Sequence, residues 1–109
     1  MSFDVFILPR FNRELKPLAR KYRSLKNELL VLVAELKKEP TLGVPLGRGC
    51  YKIRLSIASK GKGKSGGTRI VTHVVVAGKK VYLLSIFDKS ERDNITDEEL
   101  KDALREVPK

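Results

Sequence analysis

Tyr51-Lys52-Ile53-Arg54-Leu55-Ser56-Ile57, followed after a glycine-lysine run by Thr68-Arg69-Ile70-Val71-Thr72-His73-Val74-Val75-Val76, decides the fold. The first run alternates strictly. Tyr51, Ile53, Leu55 and Ile57 fall on one face of an extended chain, and Lys52, Arg54 and Ser56 on the other. That pattern predicts a half-buried strand with two cations projecting together from its exposed side. Residues 68–76 and 80–87 are rich in β-branched side chains and are joined by Ala77-Gly78-Lys79, so two further strands follow with a turn between them. The intervening Ser59-Lys60-Gly61-Lys62-Gly63-Lys64-Ser65-Gly66-Gly67 has no apolar residue and reads as a flexible loop.

Upstream, residues 3–8 read as a short strand ended by Pro9. Phe11, Leu15, Leu18, Ala19 and Tyr22 recur at helical spacing, with Pro17 inside the run, so this helix is expected to start late or to kink. Ser24 is a plausible N-cap for a second helix carrying Leu25, Leu29, Leu32, Val33 and Leu36, which Glu39-Pro40 ends. Residues 41–49, with Gly43, Pro45, Gly47 and Gly49, read as a turn-rich loop. Downstream, Thr96-Asp97-Glu98-Glu99 is a capping box opening a short acidic helix with Leu100, Ala103, Leu104 and Val107 on its apolar side. The expected order is β-α-α-β-β-β-α. This is a single α+β domain over residues 1–109, with an antiparallel twisted sheet packed against an N-terminal helical hairpin and a short C-terminal helix.

The chain has 109 residues and a formal net charge of +10, which points to a polyanionic partner. The sign is unevenly spread: residues 93–109 carry six acids against three cations. Between Glu39 and Asp88 there are nine cations (Arg48, Lys52, Arg54, Lys60, Lys62, Lys64, Arg69, Lys79, Lys80) and no acid. A solvated face usually mixes both signs, so the gap reads as a surface for phosphates. One cysteine, Cys50, excludes an intrachain disulfide, and one histidine, His73, with that cysteine cannot make a zinc site. No metal or other cofactor is expected. The N-terminal run lacks the features of a signal peptide, and no stretch approaches the ~20 apolar residues of a membrane span. The cytoplasm is the expected compartment, with no membrane contact.

Ala58-x4-Gly63-Lys64-Ser65 fits a relaxed P-loop, but a P-loop needs a helix directly after the lysine, and here a strand follows. Lys60, Lys62 and Lys64 are better read as a basic finger that meets RNA phosphates without sequence preference. His73, inside an apolar strand, reads as structural. Lys52 and Arg54 are the sharper signal. A lysine crowded by another cation can serve in proton transfer, whereas the arginine stays charged and acts as an electrostatic clamp. Arg69, on the next strand, can be brought to the same surface.

With these residues in hand the chain resembles the RelE/ParE superfamily of toxins from type II toxin–antitoxin modules, in its HigB/RelE-like branch. The resemblance rests on Phe11-x3-Leu15 with Leu18, and on Glu39-Pro40-x2-Gly43-x2-Leu46-Gly47. It continues through Tyr51-Lys52-Ile53-Arg54-Leu55, the run from Ser59 to Arg69-Ile70, and Tyr82-Leu83-Leu84-x-Ile86-Phe87-x-Lys89-Ser90-Glu91. It implies a metal-independent, ribosome-dependent messenger-RNA endoribonuclease in which the RNA's 2′-hydroxyl attacks the adjacent phosphate. It further implies Lys52, Arg54, Arg69 and Lys89 as catalytic residues, with Lys60, Lys62, Lys64 and Arg92 as RNA contacts. The implied partners are the ribosome, messenger RNA and a cognate antitoxin of helix-turn-helix type, with operator DNA met only through the antitoxin complex. Ser90 departs from the arginine usual for RelE, and Thr96 stands near the place of an RNA-stacking tyrosine, so the general acid is not assigned. A non-catalytic RNA- or ribosome-binding inhibitor and a ParE-like gyrase poison remain as alternatives.

Overall fold

The computed structural model describes residues 2–58 and 67–108. Lys60, Lys62 and Lys64 lie outside the described residues. The elements are β1 (Asp4–Ile7), α1 (Pro9–Lys21), α2 (Leu25–Lys38), β2 (Val44–Gly47), β3 (Cys50–Leu55), β4 (Thr68–Val75), β5 (Lys80–Asp88) and α3 (Asp97–Leu104). The strands form one sheet in the order β1-β5-β4-β3-β2. The α+β class, the helical hairpin and the central three-stranded meander are as the sequence predicts.

Three details differ. First, of the two expectations for α1, a late start or a kink at Pro17, the late start fails. The helix begins with Pro9 in its first turn, where a missing N–H costs nothing, and runs on with Pro17 inside. Second, the sheet is not wholly antiparallel, because β1 pairs parallel to β5 from Asp4↔Lys80 to Ile7↔Leu83. The two helices carry the chain away between β1 and the meander, so no tight turn forces β1 to run antiparallel to its neighbour. Third, residues 41–49 contain a strand, β2, which pairs antiparallel with β3. Its proline is tolerated because β2 is an edge strand. Gly43 admits the close approach: at φ 102°, a Cβ there would sit 2.4 Å from the Lys52 carbonyl oxygen.

β1 ends at Ile7, so it covers only the first half of β5. Beyond that point α1 takes over: Glu14 Oε1 accepts hydrogen bonds from Ser85 Oγ (2.7 Å) and the Ile86 N–H (3.2 Å). The same stretch carries a bulge, with Val71 opposite Ser85 and Thr72 opposite Leu83. The extra residue, Leu84, therefore comes to share a face with Phe87, three residues on.

The sheet has two cores. On one face Phe11, Leu25, Leu29, Leu32 and Leu36 of the helical hairpin pack on Ile53, Ile70, Val81, Leu83 and Ile86. On the other, Ile95, Leu100 and Ala103 of the C-terminal segment cover Cys50, Val71, Tyr82, Leu84 and Phe87. Among the described residues no helix is long and apolar enough to cross a membrane.

Candidate functional site

The register of the meander collects the predicted cations. Residues directly opposite one another share a face, and β3, β4 and β5 place Arg54, Arg69 and Phe87 in one row and Lys52, Val71 and Ser85 in the next. Cys50 belongs to the same face of β3 and to the cluster beneath α3. Lys52, Arg54 and Arg69 therefore lie on the α3 side of the sheet, and Lys52 and Arg54 share a face as the alternation of residues 51–57 predicts.

Two arginines directly opposite each other repel unless a carboxylate intervenes. Here it is Asp93, in the segment between β5 and α3. Arg69 Nε donates to Asp93 Oδ1 at 2.8 Å, and Lys52 Nζ donates to the Asp93 carbonyl oxygen at 3.0 Å. The Arg69 side chain is 6% exposed and that of Asp93 53%. The Arg69 hydrogen bond holds the Asp93 carboxyl below the ordinary carboxylate range, and the Lys52 and Lys89 charges act in the same direction. Lys89 continues the ladder, its N–H donating to the Gly67 carbonyl at 3.2 Å. Arg54 is exposed and, among the described residues, makes no hydrogen bond or ion pair.

Of the other predicted residues, Arg92 sits beside this cluster but is committed elsewhere. Its guanidinium lies 4.6 Å from the centroid of the Phe87 ring, and its Nη1 donates to both Glu99 carboxylate oxygens at 2.7 and 2.8 Å. Ser90 Oγ donates to Asp88 Oδ1 at 2.9 Å, and Thr96 Oγ1 accepts the Glu99 N–H at 3.1 Å. Both hydroxyls serve local structure. His73 is half-buried with Nδ1 3.6 Å from Cys50 Sγ. Burial lowers its pKa, against the opposing pull of the Arg48 and Gly49 carbonyls. Burial also pushes the Cys50 thiol up to about 11. The thiol therefore stays protonated near neutral pH and is not set up as a nucleophile. Among the described residues no group of three or more His, Cys, Asp or Glu could hold a metal ion.

Asp93 is the site residue that sequence reasoning missed. The middle of the chain lacks acids, yet the fold supplies one from outside it. The only signal was the acidic excess of residues 93–109, which must face something. It faces cations: Arg48 meets Asp97 at 3.3 Å, Arg92 meets Glu99, and Arg10 of α1 meets Asp102 at 3.4 Å.

The arrangement is a cationic surface with one partly exposed carboxylate at its centre and, among the described residues, no metal-ligand set. Such a surface can hold a phosphate and stabilise added negative charge on it.

The fold is that of solved bacterial toxins. A mutant of the E. coli toxin RelE in the free state superposes with a TM-score of 0.62 at 19% identity, covering 99% of this chain and 100% of that one. The same mutant toxin in complex with an antitoxin RelB peptide gives 0.61 at 19% identity, with the same coverage. A metal-bound toxin from Helicobacter pylori gives 0.51 at 20% identity, over 85% of this chain and 100% of that one. The model of the family described as the RelE toxin of the RelE/RelB toxin–antitoxin system matches residues 6–109, nearly the whole length, and so this chain belongs to the RelE toxin family.

Proposed function

We propose that the protein is a ribosome-dependent messenger-RNA endoribonuclease of the HigB/RelE-like kind, acting in the cytoplasm and neutralised by a cognate antitoxin. The observation that supports this best is that Arg69 and Lys52 both bond to Asp93, the one at its carboxylate and the other at its carbonyl, with Arg54 directly opposite Arg69 on the adjoining strand. A cluster of fixed cations, with no metal-ligand set among the described residues, suits attack by the RNA's own 2′-hydroxyl. The new bond joins the 2′-oxygen to phosphorus, and the bond to the 5′-oxygen breaks. The products are a 2′,3′-cyclic phosphate and a 5′-hydroxyl. In this reading Arg69 holds the scissile phosphate, Arg54 stabilises the charge gained at phosphorus, and Lys52 and Lys89 take part in proton transfer. Fixed positive charge in a partly dry site favours that charge build-up most at the transition state.

The test is purified protein added to a translating system with a defined message. Cleavage that needs ribosomes, leaves a 2′,3′-cyclic phosphate and falls about 100-fold or more in Arg69→Ala supports the reading. An intact message at high protein excess refutes it.

One observation favours a second reading, an RNA- or ribosome-binding inhibitor that does not cut. Arg69 is covered by Asp93, and in this arrangement no phosphate reaches its Nε. Translation arrest with an uncut message would establish that alternative. Inhibition of supercoiling by gyrase would instead point to the ParE-like branch.

The packing of α3 supports a regulatory role for the C-terminal segment. It packs on this face of the sheet through Leu100 and Ala103 and is tied down at its rim by partly exposed ion pairs, a small contact that an antitoxin can shift. If deleting residues 96–109 altered neither antitoxin affinity nor toxicity, that role would be excluded.

A further inference from the structure

We propose that the point occupied by the Asp93 carboxylate, against the Arg69 guanidinium, is the phosphodiester-binding position of this surface, and that Asp93 is a built-in competitor which RNA must displace. This rests on the RNA-directed reading above but not on cleavage.

Four observations carry it. Arg69 is nearly inaccessible, and its one charged partner among the described residues is the far more exposed Asp93. The group that covers the arginine is thus itself open to solvent and free to leave. Second, the carboxylate and a phosphate's non-bridging oxygens make the same demand on a guanidinium, a pair of oxygens in its plane. A phosphate entering in place of Asp93 finds the Arg69 Nε donor already aimed at it. Third, the cluster carries more positive charge than Asp93 neutralises: Lys52 and Lys89 act on the same carboxylate, and Arg54 stands opposite Arg69. A phosphodiester brings the same single charge and can approach from solvent, toward the exposed Arg54. Fourth, Asp93 belongs to the connection between β5 and α3 and to neither element. Its side chain has no hydrogen-bond partner but Arg69 among the described residues, so releasing it breaks no strand or helix.

The competition also accounts for the local sequence. A buried arginine opposite a second arginine needs a counter-ion to fold. Asp93 supplies it in the free protein and yields it when a phosphate takes over the same duty.

The experiment uses the full chain and a short 2′-O-methyl RNA oligonucleotide, which lacks the attacking hydroxyl and reports binding alone. Asp93→Asn keeps the shape and removes the charge, and it should bind about tenfold more tightly than the wild type. Asp97→Asn removes an equal charge from Arg48 instead and should gain about twofold or less. The gain in Asp93→Asn should vanish when Arg69→Ala is added. The Arg69 Nε–H resonance should shift on titration with inorganic phosphate, and at lower phosphate in Asp93→Asn. The proposal is overturned if Asp93→Asn binds no more tightly than Asp97→Asn, or if its gain survives without Arg69. It is also overturned if Asp93→Asn loses message cleavage without binding more tightly, because Asp93 would then belong to the chemistry. These outcomes are separable from the enzymatic reading. Tighter binding with no cleavage in any variant sinks the endoribonuclease and leaves the competitor standing. Cleavage that needs Arg69 but ignores Asp93 does the reverse.

Discussion

Beneath the helical hairpin the sheet meets Phe11, Leu25 and Leu36, all with no exposed surface, whereas on the α3 side it meets Ile95, Leu100 and Ala103, with Leu104 and Val107 only partly buried. The hairpin is 13 and 14 residues of helix against α3's eight. What α3 lacks in apolar area it makes up in charge, through ion pairs of Asp97, Glu99 and Asp102 with Arg48, Arg92 and Arg10. Apolar burial has no substitute in water, but an ion pair can be exchanged for another anion. One face is therefore built to stay shut and the other to be exchanged. The cationic site lies on the exchangeable face.

The largest expected effect tests the first half of that contrast. Phe11→Ala should cost about 3–5 kcal/mol, read as a global shift in the urea midpoint, because it opens a cavity in the larger core. Leu100→Ala should cost about 2–3 kcal/mol and should appear first as faster amide exchange within α3, with the sheet still protected. Equal and global losses from both variants would break the distinction between the faces.

Most of this architecture was legible in the sequence. The alternation of residues 51–57 put Lys52 and Arg54 on one face because side-chain direction in a strand is a local property. The Thr96 capping box was legible for the same reason: donor and acceptor lie three residues apart, and both of its hydrogen bonds form. What was hidden depends on chain segments far apart. β2 looked like a loop because Pro45 and its flanking glycines are turn residues, and only pairing with β3 makes them a strand. The parallel run of β1 depends on where two helices return the chain. Asp93 lies 24 residues from Arg69 and 41 from Lys52, so no local pattern could assign it to them.

A smaller effect sharpens the view of α3 as a detachable element. Its N-terminus satisfies its own donors: Thr96 Oγ1 accepts the Glu99 N–H, and Glu99 Oε1 accepts the Thr96 N–H at 2.9 Å. Thr96→Ala removes one of these and should cost about 1 kcal/mol. If α3 is held mainly by polar contacts, that loss should fall on α3 exchange alone and should be accompanied by greater sensitivity to salt, since exposed ion pairs are screened. A loss spread evenly over the sheet would mean that α3 is an integral part of the core.

The smallest effect concerns acid. The Glu99 carboxyl is lowered from 4.5 to about 2, first by the Thr96 backbone N–H and next by the Arg92 guanidinium. Asp97 moves the same way through its bond to Arg48, and Asp93 through Arg69. A carboxylate whose folded pKa is depressed binds its proton less readily folded than unfolded. Its contribution is therefore complete above the unfolded value and is lost as pH falls toward the folded one. For Glu99 that window runs from about 4.5 down to about 2. Its side chain is 32% exposed, so solvent screens the interaction and the loss should stay near ~1 kcal/mol or below. Amide exchange should thus show α3 loosening through this window, and Glu99→Gln should flatten the response. Arg69 holds the Asp93 carboxyl below the ordinary carboxylate range, so acid strong enough to protonate Asp93 frees Arg69, and affinity for the 2′-O-methyl oligonucleotide should rise at that point. Loosening without a rise in affinity would separate the mobility of α3 from the exposure of the cationic site, two properties that the charge pattern of this face otherwise ties together.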